Sequence, residues 1–193
     1  VDTGEAGCAE ATTVLTKQQP GVQQMERVQT ENGYMYYAYS ASMAEKGRNC
    51  VYVFEASSNR QQPLTVIENV APAQATLQGV IAHGERLAVL ARGENCTYLR
   101  IYSIAEPTKP VLLSAIEQSG ACVQAGLVGE NVYVLSHFVF DPKAEQSVPA
   151  LTVNGEIHRA LPEHIVRLAG ANQAQYTVLG TVNVQTGKAA EDV

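Results

Sequence analysis

The chain has 193 residues, of which 46% are hydrophobic and 17% are charged, a composition ordinary for a globular protein and not for a disordered one. Thirteen basic and nineteen acidic residues give a formal net charge of −6, and Lys and Arg form no cluster. The electrostatic basis for binding nucleic acid or an anionic membrane is therefore missing, and no run approaches the roughly 18 apolar residues that a membrane span needs.

The N-terminal residues have no sustained hydrophobic period. They are rich in Gly, Ala, Thr, Gln and Glu, which predicts an irregular segment over residues 1–25. From Met25 the pattern changes to an inner strand, a turn at Glu31-Asn32-Gly33 and a second strand. Because the chain opens with Val1, we expect it to be a piece of a longer protein.

Two later stretches begin alike. GERLAVL from Gly84 and GENVYVLS from Gly129 share the pattern Gly-Glu-polar-apolar-x-Val-Leu, 45 residues apart (129 − 84). A weaker match, GYMYYAYS, starts at Gly33, and CVYVFEAS from Cys50 overlays CTYLRIYS from Cys96. The runs alternate and are dense in Val, Tyr, Leu and Ile, unlike the spacing of three and four in helical repeats. Repeats of roughly 40 to 50 residues with four short strands each are typical of β-propeller blades.

The predicted fold class is therefore all-β, with propeller-like blades of four antiparallel strands. We place about three blades within residues 26–193, at about 26–71, 75–118 and 121–186. The array is a partial or truncated propeller, since closure takes typically four to eight blades. The middle blade is the complete one, over residues 76–117. In its third strand Leu99, Ile101 and Ser103 face one way, and we expect them to be more buried than Tyr98, Arg100 and Tyr102.

The third blade is interrupted by a polar, Pro-bearing insertion over about residues 138–173. Such a segment is too long for an ordinary connection. HIVRLAG within it fits a short helix or an extra strand. AQYTVLGTVNV then resumes the blade as a displaced third strand, and a fourth is not clear.

The order of these phrases resembles bacterial and archaeal secreted proteins with a carboxy-terminal β-propeller domain. The resemblance covers residues 25–186. It depends most on the Ile-x-x-Pro-x-x-Pro phrase that starts at Ile104, the Gly-x-x-Val-Tyr-Val phrase that starts at Gly129, and the insertion before YTVLGTVNV. The resemblance implies an exported, mostly β protein of several blades and brings no established catalytic residue.

The four cysteines are candidates for two disulfides. In blade geometry Cys50 and Cys96 head third strands and Cys122 heads a first strand, which places all three on one rim. A bridge between Cys96 and Cys122 follows if their Cα atoms come within about 7 Å, leaving Cys8 for Cys50. Cys50 with Cys96 is the competing pair, and four free thiols in a reducing cell are the alternative. The export implied by the resemblance supplies the oxidising compartment.

Signatures of catalysis and of cofactor binding are missing from the sequence. It has no Gly-x-Ser-x-Gly, phosphate-binding Gly-rich loop or Gly-x-Gly-x-x-Gly, and its carboxylates form no pair on one face. His137 with Asp141 is the nearest approach to a metal site, and a solvent-facing loop pair is the plainer interpretation. We therefore predict no catalytic residue, cofactor or metal, and no enzyme activity in this chain.

Propellers present loops from several blades, and loop variation sets what they bind. The sequence therefore predicts an exported scaffold, secreted or in the periplasm or cell envelope, that binds a protein or small ligand at the blade loops. The alternatives are an accessory propeller domain of a larger extracytoplasmic enzyme and a structural envelope component. Open strand edges predict self-association.

Overall fold

The structure is a computed structural model that describes residues 21–40, 48–58, 62–140, 148–166 and 175–189. These residues contain fourteen β-strands, no α-helix and one short 3-10 helix at Pro162–His164. The strands are β1 (Val22–Gln24), β2 (Val28–Glu31), β3 (Tyr34–Ser40), β4 (Asn49–Glu55), β5 (Thr65–Ile67), β6 (Thr76–His83), β7 (Arg86–Arg92), β8 (Cys96–Ser103), β9 (Val111–Ser119), β10 (Ala121–Val128), β11 (Asn131–Val139), β12 (Ala150–Val153), β13 (Glu156–Arg159) and β14 (Gln175–Asn183).

The strands form three antiparallel sheets. Blade 1 has the strand order β2-β3-β4-β5, and blade 3 has the order β1-β10-β11-β14. Blade 2, between them, has the order β6-β7-β8-β9 and continues beyond β9 into β12 and β13. The predicted all-β fold with blades of four antiparallel strands is confirmed.

Two apolar clusters hold the blades face to face. The first joins blades 1 and 2 and includes Tyr36, Val51, Val53, Leu87 and Val89. The second joins blades 2 and 3 and includes Leu90, Leu99, Ile101, Val132 and Val182. Blade 2 is therefore covered on both faces, which explains why its strands β6 and β7 contain continuous apolar runs instead of a simple alternation.

The third strand of blade 2 has the predicted orientation. Leu99 and Ile101 are 2% and 0% exposed, whereas Tyr98 and Arg100 on the opposite face are half-buried. The prediction is wrong for the last pair: Ser103 is half-buried, whereas Tyr102, on the same face as Tyr98, is buried because it packs into the cluster against blade 1.

The hairpin turns correct the repeat overlay by one residue. Glu31 pairs with Tyr34 in blade 1, and His83 pairs with Arg86 in blade 2. The turns are thus Asn32-Gly33 and Gly84-Glu85, so that Asn32, at φ 50°, is the equivalent of Gly84, at φ 58°. Overlaying Gly33 on Gly84 was wrong, and a shift of one residue exchanges the two faces of a strand.

The N-terminal part of the described chain lies along the inner edges of blades 2 and 3. Predicted as irregular, it instead forms β1, which pairs with β10, and Glu26 then bridges Val80 of β6. Two inner strands carry glycine where this backbone crosses them. A Cβ added at Gly79 would lie 2.7 Å from the Glu26 carbonyl oxygen, and one at Gly126 would lie 3.3 Å from that of Gln23. A side chain at Gly79 would displace the segment.

The insertion in blade 3 contributes to blade 2. Its strands β12 and β13 form a hairpin, and β12 pairs with β9 through Leu151 to Gln118 and Val153 to Ile116. The hairpin therefore covers what would be the outer edge of blade 2. In the HIVRLAG phrase, His164 ends the 3-10 helix and residues 167–170 lie outside the described part of the chain.

Candidate functional site

A groove of about 830 Å³ lies between blades 2 and 3. One wall is the β12–β13 hairpin with the residues that follow it, and the other is the outer part of β14 with the turn at residues 186–189. The groove exists because the two blades differ in width. Blade 2 has two extra strands outside β9, whereas the sheet of blade 3 ends at β14.

The floor of the groove contains the amide of Gln118, which is 3% exposed. Its Nε2 donates to Val134 O at 3.1 Å, Ser136 Oγ at 2.8 Å and Val178 O at 3.2 Å. Three acceptors around the nitrogen fix the orientation of the amide. Its Oε1 lies where a Cβ on Gly180 would be. Glycine at position 180 thus lets the Gln118 side chain reach from β9 to β11 and β14.

Charged side chains lie at different heights of the hairpin wall. Arg159 pairs with Ala150, the neighbour of Leu151, and Leu151 pairs with Gln118. Because Leu151 and Val153 face the cluster between blades 2 and 3, their partners His158 and Glu156 lie on the groove face of the hairpin. Arg159, opposite Ala150, lies on the other face. Glu156 is at the opposite end of the hairpin, across from Val153.

Lys188 is a cation that lines the groove. It lies in the turn after β14, where its backbone carbonyl accepts a hydrogen bond from Asn183 N at 3.0 Å. Arg159 and Lys188 are both exposed, and neither takes part in the ion pairs found among the described residues. Lys188 therefore has no carboxylate partner among the described residues, and the carboxylate of Glu156 lies on the groove face of the hairpin.

The outer edge of β14 has few backbone partners among the described residues. Beyond the ladder with β11, its only backbone bridge within the described part of the chain joins Val182 to Ala189. Since Asn183 N points towards Lys188, and strand residues alternate, the N–H and C=O groups of Leu179 and Thr177 point away from β11 as well. Among the described residues these groups have no backbone partner beside the groove.

The cysteines are not at the groove, and the described ones are unbridged. Cys50, Cys96 and Cys122 are free thiols, so the structure does not form the predicted bridge between Cys96 and Cys122, or the competing bridge between Cys50 and Cys96. Cys122 belongs to the cluster between blades 2 and 3, whereas Cys96 lies with Tyr98 on the opposite face of β8. The prediction that joined Cys8 to Cys50 falls on residue 8, outside the described residues.

The environment of the thiols disfavours the thiolate. Burial raises the pKa of Cys96 and of Cys122 to about 11, and burial also raises that of Cys50. A reactive cysteine needs the opposite change, a pKa lowered by a neighbouring positive charge or a helix N-terminus. These thiols are neutral packing groups at physiological pH.

The described residues bring no metal ligands together. No group of three or more His, Cys, Asp and Glu side chains occurs among them. His137 lies on β11, opposite Thr177, and its proposed partner Asp141 is outside the described residues. Nor does the described part of the chain contain a helix long and apolar enough to cross a membrane.

The groove was not predicted from the sequence. Its walls come from the insertion and from the strand that follows it, and their proximity depends on the pairing of β12 with β9, about 30 residues earlier in the chain. The one local signal was the unusual length of the insertion, since long loops often carry function.

The stacked sheets define a class of protein, that of four-stranded antiparallel blades repeated side by side. The chain belongs to the β-propeller domain family, whose model matches residues 16–193. No curated protein and no solved structure matches it.

Proposed function

We propose that the chain is a non-catalytic binding scaffold of an exported β-propeller protein, and that it holds its partner in the groove between blades 2 and 3. The observation that carries the proposal is the composition of this groove. It combines apolar side chains such as Leu151 and Val178 with the buried amide of Gln118 and the exposed charged residues Glu156 and Lys188. Binding sites typically join apolar walls to a few placed polar groups in about 300 to 1,000 Å³.

The cysteine environments support a scaffold over an enzyme. Nucleophilic catalysis by cysteine needs an activated thiolate, and burial favours the protonated thiols of Cys50, Cys96 and Cys122. The four-stranded blades act as a rigid frame, and the hairpin and the turn after β14 supply the variable surface.

A pull-down with matched variants tests the proposed site. The 193-residue chain is immobilised, cell-envelope extract is passed over it, and retained proteins are identified by mass spectrometry. Leu161→Glu places a charge at a residue of the groove that is 49% exposed, and Val111→Glu is the control at a residue outside the groove that is 58% exposed. We expect Leu161→Glu alone to lose the specific partners. Equal retention by both variants would contradict a binding role for the groove.

Export is tested separately by fractionation of cells that produce the full-length protein. The proposal expects the protein in the secreted, periplasmic or envelope fraction. Recovery in the cytosol alone would contradict it.

A further inference from the structure

One acceptor at the floor of the groove, Oε1 of Gln118, lacks a donor. We propose that the groove binds the indole ring of a tryptophan side chain of the partner protein, and that the indole N–H donates a hydrogen bond to this oxygen. The inference rests on the proposed function, and it names the side chain that anchors the partner.

The first support is the acceptor itself. Gln118 is 3% exposed, and its Oε1 accepts no hydrogen bond within the described part of the chain. Among the described residues, Arg86 Nε is the one enclosed side-chain nitrogen or oxygen atom without a partner. Oε1 is therefore not enclosed, and because Gln118 lines the groove, a ligand reaches this oxygen from there. Buried polar groups are normally paired, so a ligand that donates to Oε1 completes the site.

The second support is that the donors at the floor are already occupied. The two protons on Gln118 Nε2 are shared among three acceptors. Ser136 Oγ donates to Ser119 O at 2.7 Å, and Ala150 N donates to Ser119 Oγ at 3.0 Å. A ligand group at the floor must therefore donate a hydrogen bond, and an acceptor atom that it brought along would stay unpaired at a cost in affinity.

The third support is the apolar lining beside the acceptor. Leu151 pairs with Gln118 and lies next to it on one wall, and Val178 lies on the opposite wall; both are half-buried. Gly180 adds no side chain to the second wall, and a Cβ there would lie 2.0 Å from Oε1. Space for a flat, apolar group is therefore left directly beside the oxygen.

Among protein side chains, indole has the chemistry that this floor requires. It has one N–H donor, no acceptor and a large apolar ring. Hydroxyl and amide groups carry an acceptor oxygen as well, and an ammonium group would lose its hydration between apolar walls. Tryptophan is also a frequent anchor residue at protein interfaces.

The test uses the 193-residue chain, which contains no tryptophan, so that indole fluorescence reports the ligand alone. The probe is the peptide acetyl-Gly-Trp-Gly-amide, and its emission is followed as the chain is added below the concentration at which it self-associates. Competing peptides replace Trp by 1-methyltryptophan, by benzothienylalanine, which has sulfur in place of the N–H, by Tyr or by Phe. The position of the indole is mapped by nuclear Overhauser contacts of its N–H proton.

We expect the emission to shift to shorter wavelength, and the Trp peptide to bind about tenfold more tightly than either analogue without the N–H. The indole N–H proton should contact the methyl groups of Leu151 and Val178. These results on the parent chain do not depend on any variant.

A matched pair of glycine variants tests the floor. Gly180→Ala, whose Cβ would displace Oε1 of Gln118, should weaken binding of the Trp peptide about tenfold. Gly126→Ala, at another strand glycine of blade 3 outside the groove, should leave the affinity unchanged. Circular dichroism checks that both variants fold.

Four results would overturn the proposal. They are equal affinities of the Trp peptide and its two analogues without the N–H, tighter binding of the Tyr peptide, no binding of the Trp peptide, and Overhauser contacts with the rings of Tyr37 and Tyr52 on the outer face of blade 1. In each case partners lost through Leu161→Glu would still support the binding scaffold. Retention of every partner by Leu161→Glu would remove both ideas.

Discussion

Ile101 has the most direct effect on stability among the residues predicted from the sequence. It is 0% exposed between blades 2 and 3. Ile101→Ala should lower the free energy of unfolding by about 2 to 5 kcal/mol, because it removes buried carbons and leaves a cavity. Urea denaturation followed by circular dichroism measures this. Val111→Ala, at a residue that is 58% exposed, is the control. A loss below about 0.5 kcal/mol for Ile101→Ala would mean that the strand faces are assigned the wrong way round.

The buried thiols make stability depend on alkaline pH. Burial raises the pKa of Cys122 from 9.0 to about 11 in the folded state. The protonated thiol therefore contributes stability that is complete below pH 9 and is lost as the pH rises from 9 through 11. Cys122→Ala should show a shallower decline of the urea midpoint over this range than the parent chain. Identical declines would contradict the folded-state pKa.

The pairing of the cysteines could not be predicted from the sequence. Blade geometry predicts that Cys96 and Cys122 lie on one rim of the propeller. A disulfide also requires that both side chains lie on facing surfaces. Alternation along β8 places Cys96 with Tyr98 and Arg100, away from the cluster that contains Cys122. A shift of one residue moves a cysteine to the other face of its strand. Strand ends are predicted from sequence only to within a few residues, so the face of a cysteine near a strand end is not predicted.

Among the elements, the segment that contains β1 and Glu26 depends on glycines in the strands that it crosses. Gly79→Ala would place a Cβ within 2.7 to 2.9 Å of three backbone atoms of Glu26. We expect a loss of about 1 to 3 kcal/mol in unfolding free energy and faster amide exchange at Val80, whose N–H donates to Glu26 O at 2.8 Å. Gln78→Ala, at the exposed neighbouring residue, is the control. An unchanged exchange rate at Val80 in Gly79→Ala would mean that the segment does not lie on β6.

The strands that were predicted from the sequence are those whose signals lie in neighbouring residues. Strands β6 to β9 follow from alternating runs separated by turn residues such as Gly84, and they were predicted within a few residues. The pairing of β1 with β10 and of β12 with β9 joins distant parts of the chain. No local pattern encodes such contacts, and for this reason the groove that they create was not foreseen.

At the scale of the whole molecule, both ends of the row of blades expose apolar surface. The face of blade 1 away from blade 2 carries an aromatic cluster of Tyr37, Tyr39, Tyr52 and Phe54, with ring centroids 5.9 to 6.4 Å apart. On the far face of blade 3, Val139 and Tyr133 are 53% and 37% exposed. Patches of this kind mark interaction surfaces.

We expect the 193-residue chain to self-associate through these two faces, head to tail, in addition to the strand edges first predicted. Sedimentation velocity over a concentration series should detect dimers or larger species. The double variant Tyr39→Glu with Tyr52→Glu should weaken the association, and Gln78→Glu should leave it unchanged. A monomer at the highest concentration would contradict the expectation.

The central claim is that three blades stack side by side through two separate apolar clusters, which leaves the groove beside β14. Nuclear Overhauser contacts between methyl groups test it most directly, because they report distances across the blade interfaces. The structure predicts contacts linking the valines of β4 with those of β6 and β7, and contacts linking Leu99 and Ile101 with Val132 and Val182. Contacts confined to single sheets, or contacts that join blade 1 directly to blade 3, would contradict it.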